Sequence, residues 1–220
     1  MNKLIVLEGT DGSGKKTQAD LLCKNIQDAG YSVVTQSFPN YDSLSSGPVK
    51  MYLGGDLGES ANDFSAEQSS ILFSVDRLCT IQQLDKQNVD FGVFDRYVES
   101  NLVHQGAKIE SKRKLNAYVK WLYNLEYKIL KLHKPDMILF LNLPPKNSIS
   151  LASARSENKS GLAKDIHEKD SEHLKHAYKT GMYLAKKLGW TIIDCVDANG
   201  EIKKIEDIQK EILKKIEPML

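Results

Sequence analysis

The residues with the clearest chemical potential lie near the start of the chain. A glycine-rich turn, Gly9-Thr-Asp-Gly-Ser-Gly14, separates the apolar run Leu4–Leu7 from a helical pattern that begins at Lys15. Glycines allow backbone N–H groups to point at an anion, the helix N-terminus adds partial positive charge, and the lysine reaches outer phosphates. The spacing predicts a phosphate-binding P-loop, although Lys16 occupies the position that the motif reserves for Ser or Thr.

A second group of charged residues follows another strand-like run. Phe91–Phe94 is short and apolar, and Asp95, Arg96 and Tyr97 come directly after it. A carboxylate at the end of a strand is the arrangement that places an acid near the metal ion of a P-loop site. The alternative is a turn-forming aspartate without a chemical role.

The elements that must position these residues alternate between strand and helix. Ser65 and Gln68 form a capping box at the start of the longest helical pattern. The alternation predicts one α/β domain over residues 1–220, with a five-stranded parallel sheet, helices on both faces, and a ligand site at the carboxyl ends of the strands. Strands are predicted at 4–7, 31–37, 91–94, 136–142 and 190–194, and helices at 15–28, 65–87, 111–133, 171–188 and 202–216.

Composition limits the possible functions. The 220 residues are 41% hydrophobic, enough to bury the core of one domain, and the net charge of +1 predicts no nucleic-acid or membrane partner. The three cysteines form no disulfide or zinc pattern, so a reducing compartment is expected. No apolar run approaches the ~18 residues of a membrane span, and the N-terminal run is too short for a signal peptide. We therefore expect a cytoplasmic protein.

The strongly charged segment at residues 153–170 allows two interpretations. Composition alone favours a solvated loop. The alternative is a mobile lid, in which the basic side chains of Arg155, Lys159 and Lys164 close over phosphate groups.

Six segments of the chain match the motifs of one known family, in the same order. They are Glu8–Lys15, Phe38–Tyr41, Gly55–Leu57, Leu72–Arg77, Asp95–Asn101 and Asp165–Asp170. Through these segments the chain resembles the thymidylate kinases, a family of P-loop nucleoside monophosphate kinases. The resemblance implies a three-layer P-loop NTPase fold with a lid at about 153–170, and phosphoryl transfer from ATP to dTMP, giving dTDP. It also implies Mg²⁺ as cofactor and a homodimer.

The resemblance also implies residue roles in catalysis and in ATP binding. The expected catalytic residues are Lys15, Arg96, Arg155 and Asp11. Arg155 is favoured over Lys159 and Lys164 as the basic residue that the lid supplies, because the early part of the P-loop has none. The expected ATP site comprises Gly9, Thr10, Asp11, Gly12, Ser13, Gly14, Lys15, Lys16 and Thr17.

The acceptor site is implied in the same way. Phe73 is expected to stack on the thymine ring, and Arg77, four residues later on the same helix face, to hydrogen-bond its edge. Arg96 and Tyr41 are expected at the acceptor phosphate. The full expected set is Asp11, Phe38, Tyr41, Phe73, Arg77, Arg96, Ser100, Asn101, His104, Gln105 and Tyr178.

Two departures from the family pattern concern the metal and the sugar. Lys16 replaces the hydroxyl that normally binds magnesium, which leaves Asp11, Glu8 and Asp95 as metal candidates, through water in part. His104 stands where many members have a tyrosine under the sugar, so the rejection of ribonucleotides becomes an open question.

A P-loop also occurs in proteins with other functions, and three of these are alternatives for this sequence. A GTP-binding switch requires an Asn-Lys-x-Asp motif, and the nearest string, Asn158-Lys-Ser-Gly161, lacks the aspartate. A catalytically silent nucleotide-binding regulator is motivated by Lys16. A kinase for another pyrimidine deoxynucleotide also remains open at this stage.

Overall fold

The computed structural model describes residues 1–58, 60, 63–149 and 171–220. Five strands form one sheet in the order β2-β3-β1-β4-β5, and every neighbouring pair is parallel. The central strand β1 is apolar from Leu4 to Leu7, as a strand covered on both faces requires. The strands are β1 (Lys3–Glu8), β2 (Val33–Ser37), β3 (Phe91–Asp95), β4 (Met137–Asn142) and β5 (Thr191–Asp194).

Seven α-helices surround the sheet in the described part of the chain, and residues 145–149 are helical as well. Short 3-10 segments occur at Leu44–Ser46, Gly106–Lys108 and Glu217–Met219. The helices are α1 (Lys15–Asp28), α2 (Gly47–Gly54), α3 (Ala66–Leu84), α4 (Val98–His104), α5 (Lys112–Tyr123), α6 (Ser171–Leu188) and α7 (Ile205–Ile216).

The hydrophobic core has one half on each face of the sheet. Alternate residues of β1 point to opposite sides, so Leu4 and Val6 join one cluster while Ile5 and Leu7 join the other. The first cluster includes residues of α3, α4, α5 and α6, and the second includes residues of α1 and α7. The predicted α/β fold with helices on both faces is therefore confirmed.

Strand register brings the two predicted charged groups together. Leu7 of β1 pairs with Asp95 of β3, so the P-loop that follows β1 begins beside the charged residues that follow β3. The predicted capping box is also present, because the Ser65 side chain accepts from the Gln68 N–H and the Gln68 side chain accepts from the Ser65 N–H. This cap fixes the start of α3.

Two helix predictions differ from the structure. The pattern at 111–133 is not one α-helix, because a π-helical turn at Asn124–Ile129 follows α5 and ends it early. The last helix begins at Ile205, since Ile202 instead pairs with Val196 in an antiparallel bridge. Helices α2 and α4 were not predicted. The lid prediction at 153–170 lies outside the described residues, and no described helix is both long and apolar enough to span a membrane.

Candidate active site

Two adjoining cavities lie at the carboxyl edge of the sheet. The larger, of about 340 Å³, lies between the ends of β2 and β3 and helices α3 and α4. The smaller, of about 170 Å³, is formed mainly by the P-loop. Four side chains, Asp11, Lys16, Asp95 and Arg96, line both cavities. The site is thus a pair of pockets joined along a charged boundary.

The P-loop has the backbone conformation that its glycines predict. Gly14 adopts a left-handed conformation with φ of 85° directly before α1, and Gly12 has φ of 80°. A Cβ atom on Gly12 would lie 2.9 Å from the Ser148 carbonyl oxygen, so a larger residue would also collide with neighbouring backbone. Glycine is therefore required at position 12 for both conformation and space.

Lys15 lies inside the P-loop and holds it together. Its Nζ atom donates to the carbonyl oxygens of Gly9 at 3.0 Å and Thr10 at 2.9 Å. Burial and, to a smaller extent, the Arg96 cation lower the pKa of Lys15 to about 8, while the nearby carboxylates oppose both effects. A bound phosphate group would favour the charged lysine in the same way as those carboxylates.

Arg96 occupies the boundary between the cavities. Its guanidinium forms an ion pair with Asp11 and donates to Ser100 Oγ at 3.2 Å, and its Nη1 atom lies 2.8 Å from His104 Nε2. The backbone of Arg96 is left-handed, with φ of 70°, which is uncommon for a residue other than glycine. Burial opposes the charge, but the carboxylates of Asp11, Asp95 and Glu8 raise the pKa of Arg96 above its ordinary value.

Glu8 fixes the segment that carries Arg96. The carboxylate is fully buried, and it accepts hydrogen bonds from the Tyr97 N–H at 2.9 Å and from Ser100 Oγ at 2.7 Å. Burial raises the pKa of Glu8, while Arg96 and these two donors oppose the rise. Both Glu8 oxygens therefore help to hold the segment that carries Arg96, and the metal role expected of Glu8 stays a prediction.

The larger cavity also contains the side chains predicted for base recognition. Phe73 and Arg77 project from α3, and Ser100 and Asn101 from α4, and all four line this cavity. The Phe73 ring packs edge-on against the Tyr52 ring, with centroids 6.2 Å apart. The helices therefore place an aromatic ring and a group of hydrogen-bonding side chains on the walls of one pocket.

Arg77 is held by a carboxylate that the sequence analysis missed. Glu126, on the π-helical turn, is fully buried and forms an ion pair with Arg77, which is 2% exposed. The same carboxylate accepts from Ser74 Oγ at 2.6 Å. Burial opposes the arginine charge, yet Glu126 raises the pKa of Arg77 above its ordinary value. Spacing gave no sign of this pair, because Glu126 falls within an apolar helical pattern.

The structure brings together most of the predicted acceptor residues and separates one. Of the described residues, those that line the larger cavity do not include Tyr178, which donates to Asn142 Oδ1 at 2.8 Å at the end of β4. Arg155 lies outside the described residues. The predicted residues that do line this cavity are Asp11, Phe38, Tyr41, Phe73, Arg77, Arg96, Ser100, Asn101, His104 and Gln105.

Lys16 points away from the P-loop backbone. Its Nζ atom lies 3.3 Å from the Asp20 carboxylate one turn along α1, and the two side chains are 73% and 54% exposed. Lys16 nevertheless borders both cavities through part of its side chain. Its ammonium group therefore does not occupy the place of the missing hydroxyl.

The carboxylates fit a metal ion that is bound mainly by nucleotide and water. Within residues 1–58, 60, 63–149 and 171–220, no three His, Cys, Asp or Glu side chains form a group that could hold a metal. Asp95 lines both cavities, and its Oδ1 atom is buried without a hydrogen-bond partner among the described residues. A solvated cation is a suitable partner for such an oxygen.

The parallel sheet has a P-loop at its carboxyl edge, and Arg96 lines both the P-loop cavity and a second pocket beside it. Together these features define a P-loop nucleotide kinase. The thymidylate kinase family model matches residues 7–212, and the chain belongs to this family. Its activity is accordingly the ATP-dependent phosphorylation of dTMP to dTDP, and kinases of this kind use a divalent metal ion with ATP.

Individual relatives agree with this assignment. A thymidylate kinase of Mycobacterium tuberculosis is 32% identical over 173 residues, which cover 77% of this chain and 79% of that protein. A thymidylate kinase of Plasmodium falciparum is 30% identical over 217 residues, covering 97% and 89%. The solved structure of the Candida albicans thymidylate kinase matches with a TM-score of 0.69 at 22% identity, covering 99% and 92%, and shows that the fold is shared.

Proposed function

We propose that Arg96 is the residue at which the two substrates meet during phosphoryl transfer. The observation that carries the proposal is that Arg96 lines both the P-loop cavity and the larger cavity. A guanidinium at this boundary can bind the acceptor phosphate and also offset the charge that develops on the transferred group. Asp11, Ser100 and His104 hold it in place, so little reorganisation is needed when the substrates arrive.

ATP binds on the P-loop side in this proposal. The backbone N–H groups of residues 9–17 face the phosphates, and Lys15 exchanges its carbonyl partners for phosphate oxygens. The transfer needs no nucleophilic side chain, because alignment of two anionic substrates and neutralisation of their charge supply most of the catalysis. Arg155 stays a prediction as a further basic group.

The acceptor dTMP binds in the larger cavity. Phe73 stacks on the thymine, Arg77 donates to its edge, and Asn101 contributes a further polar group. Tyr41 also lines this cavity, is half exposed and lies near Arg96, so we place it beside the acceptor phosphate. The buried Glu126 partner favours one fixed direction for the Arg77 guanidinium.

Mg²⁺ is the proposed metal ion. Asp95, with its buried Oδ1, and Asp11 would hold its water shell, and Thr17 on the P-loop side offers a hydroxyl in place of the one that Lys16 lacks. When bound, the ion supplies charge neutralisation on the phosphate oxygens. Glu8 acts indirectly, by fixing the segment that contains Arg96 and Asp95.

We also propose a homodimer that forms through a surface separate from the active site. Ile71 and Val75 lie four residues apart on α3 and are 47% and 43% exposed, so they present a neighbouring apolar pair to solvent. This face lies away from the cavity-lining side chains Phe73 and Arg77. Sedimentation of the purified protein, with an Ile71→Glu, Val75→Glu variant as comparison, measures whether this face mediates association.

The central test is the Arg96→Ala variant in an ADP-release assay with ATP and a panel of acceptors. Wild type is expected to prefer dTMP over dUMP, dCMP and dAMP. Arg96→Ala is expected to lose on the order of 10²–10³ in kcat/KM for dTMP, as loss of a positioned charge-stabilising donor does. The matched control is Arg113→Ala, because Arg113 is exposed on α5.

Two results contradict the proposal. If Arg96→Ala keeps kcat/KM within about threefold of wild type, Arg96 does not contact the reacting groups. If wild type binds ATP and dTMP but forms no dTMP-dependent ADP at any magnesium concentration, the chain is a silent nucleotide-binding protein instead of a kinase.

A further inference from the structure

A separate cavity lies at the opposite end of the sheet from the P-loop. Its volume is about 360 Å³, and its walls come from the segments that enter β4 and β5 together with α5 and α4. All of its lining residues differ from those of the two active-site cavities. They are Glu99, Tyr123, Lys134, Pro135, Asp136, Met137, Ile138, Leu188, Gly189, Trp190 and Thr191.

Glu99 is an incompletely satisfied carboxyl group in the wall of this cavity. The side chain is 1% exposed, and its Oε1 atom accepts a hydrogen bond from the Tyr127 hydroxyl at 2.7 Å. Its Oε2 atom is buried and has no hydrogen-bond partner within the described part of the chain. A buried acceptor without a donor is unfavourable, so this oxygen marks where a ligand donor gains the most.

The surroundings of Glu99 compensate its negative charge only weakly. Burial raises the pKa of Glu99 to about 7, and the hydrogen bond from Tyr127 opposes this rise only in part. A cation beside it would favour the ionised form. The titratable or charged groups facing Glu99 or lining the cavity with it are Tyr127, Tyr123, Tyr97, Glu8, Arg77, Lys134 and Asp136.

Those neighbours leave the carboxyl without a close cationic partner among the described residues. Arg77 is paired with Glu126, and Lys134 is exposed to solvent. Asp136 is also engaged, because it accepts from the Leu4 N–H at 2.7 Å. Among the described residues that line this cavity there is therefore no buried cation to compete for the Glu99 carboxyl group.

The remaining walls suit a flat ring. Tyr123 and Trp190 supply aromatic faces, and Met137, Ile138 and Leu188 supply apolar surface. Such walls stabilise an aromatic ligand by burial, and their rings also attract a positive charge. We propose that this cavity binds a small aromatic amine, with its ring against Trp190 and Tyr123 and its protonated amino group donating to Glu99.

The proposed site is expected to fill independently of dTMP. Glu99 precedes Ser100 and Asn101 on α4, but the short helix turns these side chains toward different cavities. An amine bound at Glu99 therefore occupies none of the acceptor pocket. This separation distinguishes the proposed site from weak binding of the amine in the active site.

The test is titration of the full chain with benzylammonium, followed by NMR of the tryptophan indole N–H groups. The chain has two tryptophans, and of these Trp190 lines the cavity while Trp121 does not. We expect a saturable shift of the Trp190 signal alone, with a dissociation constant on the order of 1 mM for so small a ligand. Saturating dTMP should leave this shift unchanged.

Charge dependence is tested with ligands and variants. Benzyl alcohol is expected to bind at least about tenfold more weakly than benzylammonium, and Glu99→Gln to weaken benzylammonium binding by a similar factor. Glu110→Gln, at an exposed glutamate, is the matched control and should bind as wild type does.

Three outcomes overturn the proposal. They are an unshifted Trp190 signal, displacement of the amine by dTMP, and equal affinities of Glu99→Gln and wild type. If Glu99→Gln does not fold, the wild-type ligand comparison decides the matter, because benzyl alcohol binding as tightly as benzylammonium removes any role for the Glu99 charge.

Discussion

The two ends of the active site differ in the solvent exposure of the ion pair beside each. At the end proposed to bind the base, here called the base end, Arg77 and Glu126 are 2% and 0% exposed. At the P-loop end, Lys16 and Asp20 are 73% and 54% exposed. Breaking a buried pair leaves an uncompensated charge in the protein, whereas water replaces a lost partner at the surface. The Arg77 guanidinium is thus fixed before any ligand binds, whereas the exposed Lys16 ammonium can be ordered by a ligand.

This difference corresponds to what each end must recognise. A neutral base offers only a few hydrogen-bonding groups, so the protein must hold its own donors in position in advance. Phosphates and a metal ion bring strong charges of their own, which can order flexible lysines when they arrive. The following variants test how far the contrast holds.

The largest expected effect is that of Glu126→Gln. The substitution keeps the size of the side chain and leaves Arg77 as a buried cation without its partner. The free energy of unfolding should fall by ~3–5 kcal/mol, measured by urea denaturation, and the KM for dTMP should rise. The control is Glu110→Gln at an exposed position. A loss below about 1 kcal/mol would show that the base end is not held by this pair.

Arg77→Ala should have the next largest effect, on binding. Loss of a hydrogen bond to a buried base edge weakens dTMP binding by ~1–3 kcal/mol, while ATP affinity stays nearly intact. Calorimetric titration with each nucleotide separates the two effects, and Arg113→Ala serves as the surface control. Equal losses for both nucleotides would indicate that Arg77 supports the fold without contacting the base.

Lys16→Ser should have the smallest effect on stability, within about 0.5 kcal/mol, because its partner Asp20 is exposed. The new hydroxyl should lower the Mg²⁺ concentration that gives half-maximal rate. Lys16→Ala is the matched comparison, since it removes the ammonium without adding a metal ligand. If wild type and both variants share one magnesium curve, position 16 has no part in metal binding.

Local sequence signals were sufficient for the sheet and for the P-loop end of the site. The apolar β1 run, the glycine-rich turn and Lys15 follow one another closely, and Ser65 and Gln68 of the cap are three positions apart, so each could be identified from neighbouring residues. The carboxyl-edge rule for parallel sheets then correctly placed Asp95 beside the P-loop.

Long-range partners could not be identified in this way. Glu126 meets Arg77 across 49 residues, and it does so from a π-helical turn that changes which face of the helical segment its side chains occupy. An unbroken helical period across 111–133 gives no indication of that turn. The hydrogen bonds that Glu8 accepts from the Tyr97 N–H and Ser100 Oγ could not be predicted either, because they span 89 and 92 residues of sequence.

The left-handed backbone at Arg96 has a consequence for how substitutions there rank in stability. At most helical or extended positions alanine is more stable than glycine, because glycine loses more conformational freedom on folding. With φ of 70° the order should reverse, since glycine adopts this conformation without strain and alanine does not. Arg96→Gly and Arg96→Ala are therefore equally unable to bind phosphate, yet the glycine protein should unfold at the higher temperature. Arginine is thus the residue that the activity requires at position 96, whereas glycine is the residue that best suits the backbone conformation there.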